Sequence, residues 1–165
     1  MPATEPTTEG TVRASAETGL FEGDVHIDAP PEVVFPYLID PELFVRWGGT
    51  KAELDTRPGG IYRTEIIPGT TARGEFVEVD PPRRVVYTFG WEGDDQPIKP
   101  GSSRVEIDLE PDADGTRLRM RHSGLPEDAV GDHRTGWEHY FGRLAVVATG
   151  GDPGRDRWLD GPPAA

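Results

Sequence analysis

Between Lys51 and His122 the chain offers six stretches of strand-like alternation, and no gap among them can hold a crossover helix. The stretches are KAELDT, GIYRTEII, TARGEFVEV, RVVYTFGW, SRVEIDLE and TRLRMRHS, and every separator carries glycine or proline. The longest separator, EGDDQPIKPG, falls short of the dozen or so residues that a parallel crossover requires. The strands must therefore pair antiparallel. A seventh precedes them in LFEGDVHIDA, where Phe21, Val25 and Ile27 alternate with Asp24, His26 and Asp28.

One hairpin can be read in register. In RVEIDLE the residues Val105, Ile107 and Leu109 share a face, and in RLRMRH so do Leu118, Met120 and His122. Closing the pair through PDADG sets Glu106, Asp108 and Glu110 against Arg117, Arg119 and Arg121 on the other face. That arginine stripe reads as the outer face of a sheet and not as an anion site. In GIYRTEII, Tyr62 and Ile66 favour the inward phase and leave Arg63 and Glu65 in solvent.

Two short helices follow the first strand. DAPPEVVFPYL begins with proline where its missing N–H costs nothing, and Pro36 predicts a kink within it. DPELFVRWGG has Asp40 as N-cap, Pro41 in the first turn and Gly48 or Gly49 as its stop. Only one segment is long enough to cover a sheet, GDHRTGWEHYFGRLAVVATGG, in which Trp137, Tyr140, Phe141, Leu144 and Ala148 recur at helical spacing. The prediction is an α+β domain in which a long C-terminal helix lies across the concave face of a curved, seven-stranded antiparallel sheet.

The domain is predicted over residues 19–151. Residues 1–18 are poor in apolar side chains and read as a disordered lead-in. Residues 152–165 read as a flexible tail over the surface, with Trp158 and Leu159 as anchors. With no cysteine, disulfides and thiolate chemistry are excluded. A net charge of −13 disfavours nucleic acid and anionic membranes as partners. No apolar run approaches the roughly 20 residues that span a bilayer, the N-terminus is acidic and lacks a signal-peptide core, and a cytoplasmic location is expected.

The order of these elements, with the stretches IDAPPEVVFPYLIDPELFVRW (Ile27–Trp47), PGG (Pro58–Gly60), GEFVEVDPPRRVVYTFGW (Gly74–Trp91), HSGLP (His122–Pro126) and GWEHYFGRL (Gly136–Leu144), resembles the helix-grip, START-like superfamily. Within that superfamily the chain most resembles proteins related to the activator of heat-shock-protein-90 ATPase. Pro36 departs from the continuous first helix of the family. The resemblance implies a groove between sheet and long helix that holds apolar or amphipathic small molecules, and it transfers no catalytic set.

Candidate ligand contacts are Trp47, Tyr87, Phe89, Trp91, Ile107, Met120, His122, Trp137, Tyr140 and Phe141. The aromatic cluster is open to two readings, a ligand cavity or a filled core. His122 is open to three: a general base, a ligand handle or a satisfied core histidine. No catalytic residue is assigned and no cofactor is called for. A metal site is disfavoured, because His133 and His139 lie about 240° apart around a helix and His26 faces outward. The favoured function is binding of a small apolar or amphipathic molecule. Two alternatives stay open, a chaperone-interacting module that the resemblance implies and a polyketide cyclase- or dehydratase-like enzyme using His122. The chaperone reading rests on the family likeness alone, and against the enzyme reading the inward face offers one acid–base group where two are usual.

Overall fold

The computed structural model describes residues 12–15 and 19–160. All seven expected strands are present: β2 (Leu20–Ile27), β3 (Lys51–Leu54), β4 (Ile61–Ile67), β5 (Thr70–Asp80), β6 (Arg84–Phe89), β7 (Ser103–Asp112) and β8 (Gly115–Ser123). An eighth, β1 (Val12–Ser15), pairs with the edge of β2. That corrects the strand count and removes four residues from the expected disordered lead-in; the rest of residues 1–18 lies outside the described residues. The order across the sheet is β1-β2-β8-β7-β6-β5-β4-β3, antiparallel at every step.

The β7–β8 hairpin has the expected register, with Val105 opposite His122, Ile107 opposite Met120 and Leu109 opposite Leu118. On the outer face Glu106, Asp108 and Glu110 lie opposite Arg121, Arg119 and Arg117. Arg119 and Arg117, however, reach diagonally, to Glu110 and to Asp24 and Asp112, whereas Arg121 pairs with Glu22 directly opposite it on β2. Arg84 of β6 gathers Glu106, Asp108 and Glu78, the first of these doing most to raise its already high pKa. Exposed pairs of this kind contribute little energy each and act mainly on register. His26 also belongs to the outer face, but it is buried there between Asp112 and Asp28, 3.0 Å from each.

Pro36 divides the first helical segment as its missing N–H and ring require. The pieces are α1 (Pro31–Val34) and α2 (Pro36–Ile39), followed by α3 (Pro41–Phe44), where the Asp40 side chain accepts from the Glu42 N–H. After a 3-10 turn at Glu127–Ala129, α4 runs from Val130 to Ala148. It ends where Gly150 takes φ +89°, with the N–H of Gly150 bonded to the Val147 carbonyl and that of Gly151 to Val146. A β-carbon is strained in that conformation, so glycine fixes the stop. Tyr140, Phe141, Leu144 and Ala148 are buried and Trp137 is half-buried against the core, as the spacing predicts.

The tail is not loose over its described part. Asp156 is 7% exposed, and Arg157–Asp160 form a 3-10 turn that sets Trp158 against α4. Residues 161–165 lie outside the described residues.

Two glycines respond oppositely to one added methyl. At Gly74 a β-carbon would strike the Thr88 carbonyl of the neighbouring strand, whereas at exposed Gly142 on α4 it would meet open space. Gly74→Ala should lose about 1–3 kcal/mol and Gly142→Ala should gain about 0.5–1 kcal/mol in urea unfolding. Equal effects at both positions would contradict the strand packing.

Candidate functional site

A single helix is about 10–12 Å wide, whereas eight strands span nearly 40 Å. α4 lies nearest β1 and β2, while α3 sits beside β3. The concave face between them is left partly uncovered, and there a partly enclosed cavity of about 370 Å³ opens. Its floor comes from Tyr62, Ile66 and Ile67 of β4 and Phe89 of β6, one wall from Phe44 and Trp47, and the other from His133, Gly136, Trp137 and Tyr140 of α4. The loop after β6 adds Trp91 and Ile98, and the tail adds Trp158. All four tryptophans of the chain meet this space.

Of the ten expected contacts, Trp47, Phe89, Trp91, Trp137 and Tyr140 line the cavity. Tyr87, Ile107, Met120, His122 and Phe141 do not; all five are buried in the layer beneath. Alternation assigns Tyr87, Ile107, Met120 and His122 correctly to the inner face, and helical spacing puts Phe141 on the buried side of α4, but neither says which part of the sheet the helix leaves open. Tyr87 stacks under Tyr62 with ring centroids 3.9 Å apart, and burial pushes the pKa of both phenols up. Phe141 sits between Trp47 and Trp137, stacked with each.

The polar groups are linked in two short chains. The Ser103 hydroxyl donates to the Phe89 carbonyl at 2.8 Å, so it must accept from Nε2 of His122, 2.9 Å away. The Trp137 indole N–H then donates to the other nitrogen, Nδ1, at 3.1 Å. His122 is therefore a neutral ring with its proton on Nε2 and both nitrogens occupied. Burial, with help from neighbouring His133, pushes its pKa down to about 3. Of the three readings, the structure places His122 as a satisfied core histidine.

His133 repeats the pattern one layer out. Its Nδ1 lies 2.8 Å from the Ala129 carbonyl and must carry the proton, leaving Nε2 to accept from the Trp91 indole at 3.1 Å. Burial lowers its pKa against the opposing influence of that carbonyl and of Asp132. Helical spacing could have found this residue, since His133, Trp137 and Phe141 follow one another at intervals of four.

A third arrangement ties down the tail. Buried Asp156 accepts from the Tyr140 hydroxyl at 2.7 Å and lies 2.8 Å from Nε2 of His139, while Trp158 stacks on the His139 ring at 4.1 Å. Burial works to raise the Asp156 pKa, but the bonds from Tyr140, the Trp158 backbone and His139 outweigh it and hold the carboxyl below its usual range. Among the described residues no group of three or more His, Cys, Asp and Glu is placed to hold a metal ion.

A family model described as activator of Hsp90 ATPase homolog 1-like protein matches residues 28–149. No curated protein matches the chain. Among solved structures it is similar to an AHSA1-like protein from Rhizobium etli, with 46% identity, 84% of this chain and 87% of that chain covered, and a TM-score of 0.68. It is also similar to CalU16 from Micromonospora echinospora, with 25% identity, 86% of each chain covered and a TM-score of 0.67. DynU16, a protein of the dynemicin biosynthetic locus, shares 25% identity over 84% of this chain and 50% of that chain, with a TM-score of 0.73.

The histidine network makes a spectroscopic prediction. Ring nitrogen shifts should show His122 neutral, with the Nε2–H tautomer, from pH 8 down to about 4, because its pKa lies near 3 and not at the ordinary 6.5. The folded pKa is the lower one, so the neutral ring's contribution to stability is complete above about pH 6.5 and is lost as pH falls toward 3. The urea midpoint should decline over that window. A His122 ring that titrates near 6.5 would overturn the assignment.

Proposed function

The chain belongs to the activator of Hsp90 ATPase homolog 1-like family, and from that premise we propose that it binds a small apolar or amphipathic molecule in the cavity between α4 and the sheet. The observation that carries this reading is the convergence of all four tryptophans on one partly enclosed space of about 370 Å³. That volume lies within the range of small-molecule sites, and the walls are mostly aromatic, as such sites usually are. Large rings are normally used to fill a core. Here Trp91, Trp137 and Trp158 remain half-buried at an unfilled space, where a ligand would cover them.

The chemistry of the site favours holding over converting. General acid–base catalysis needs a group free to exchange a proton with its substrate. Both nitrogens of His122 and both of His133 are engaged within the protein, and the Tyr140 hydroxyl is donated to Asp156, which leaves the single carboxylate of Asp132 in the lining where two acid–base groups are usual. As for a chaperone partner, the exposed large apolar side chains among the described residues are four valines on separate segments, Val33, Val45, Val77 and Val146. Single valines are ordinary on a protein surface and supply no docking face of their own. The place of DynU16 in a biosynthetic locus agrees with a small-molecule ligand for a relative of this fold.

The test is a variant that fills the cavity without breaking the fold. Gly136 lines the space on α4, and a β-carbon there meets nothing within 4 Å. Gly136→Leu should lower the affinity for a neutral dye such as Nile red at least about tenfold, while leaving the unfolding midpoint unchanged or higher. Native mass spectrometry of freshly purified protein should show co-purified small molecules that the variant lacks. Dye binding that ignores the substitution would place the ligand elsewhere or remove it.

A further inference from the structure

Within the binding reading, on which it rests, we propose that the cavity is selective for charge: it takes ligands bearing a positive charge on an apolar or aromatic body and rejects carboxylates of the same shape.

The argument is an account of donors. An anionic oxygen needs N–H or O–H groups, or a cationic side chain, once it leaves water. Most of the strong donors around this cavity are turned away from it. The indole N–H groups of Trp47, Trp91 and Trp137 go to the Tyr37 carbonyl, His133 and His122. The His133 N–H goes to the Ala129 carbonyl and the Tyr140 hydroxyl to Asp156. What these side chains leave toward the space is ring surface. The neutral donors that remain, on Trp158, Thr70 and exposed Gln96, carry no charge to offset that of a carboxylate.

Among the described residues no lysine or arginine lines the same walls. Arg143, one turn along α4 from Tyr140, is held by the Trp47 and Pro153 carbonyls. Arg134 pairs with Glu138 across one turn of the same helix. Among the described residues the one charged side chain in the lining is that of Asp132, exposed in the first turn of α4.

Ring faces carry a negative quadrupole and attract cations, with indole the strongest. Several indole faces, a carboxylate at the edge and a net charge of −13 all act in one direction. A protonated or quaternary amine can therefore enter with its charge against ring faces and Asp132. A carboxylate would meet the same surfaces without a partner.

Three probes of one shape decide the matter: (2-naphthylmethyl)trimethylammonium, 2-naphthalenemethanol and 2-naphthoate, titrated near neutral pH by calorimetry and by quenching of tryptophan fluorescence. The ammonium should bind at least about tenfold tighter than the carboxylate, with the alcohol between them. Asp132→Asn, an exposed substitution, should weaken the ammonium severalfold and leave the alcohol unchanged. A carboxylate that binds as well as the ammonium, or better, overturns the charge selection while the binding function stands. Binding of none of the three overturns the binding reading, and this inference with it.

Discussion

One helix must cover the concave side of a sheet more than three times its width, and the rest of the molecule follows from that shortfall. α4 lies toward β1 and β2, with Leu144 fully buried beneath it. Of the three short helices, α3 covers the region near β3, where Phe44 and Trp47 are buried, while α1 packs on β7 and β8. Between these two covers the inner face of β4 and β6 has no continuous lid. A loop and the C-terminal segment partly close it, and what remains open is the cavity.

The way the cavity is lined has consequences for its chemistry. Indole rings are usually placed where their N–H can find a partner, and here three of them look inward for it. Two of those partners are histidines, which stay neutral because burial disfavours the charged ring. Each tryptophan–histidine contact thus fixes a tautomer, supports a wall and withdraws a donor from the cavity. Rigid aromatic walls and scarce donors suit capture of a ligand better than proton transfer to one.

Much of the frame was legible because a strand's side-chain period is two. Val105, Ile107 and Leu109 could be paired with His122, Met120 and Leu118 before any coordinates, and Pro36 announced the break between α1 and α2. The same periodicity overreached at the site. It identifies the inner face but not the uncovered part of it, so Tyr87, Ile107, Met120 and His122 lie beneath the walls, as does Phe141, which helical spacing alone puts on the buried side of α4. β1 escaped notice because four residues give too short an alternation to stand out, and Ile98 because a loop has no period.

The order and pairing of the strands, the single long helix and the aromatic face between them belong to the sequence itself, since local periodicity and short connections leave few alternatives. Where the cavity opens, which histidine nitrogen carries its proton, and how Asp156 ties Trp158 to α4 were decided only in three dimensions. Each of these depends on distances between residues far apart in the chain, and no local pattern encodes those distances.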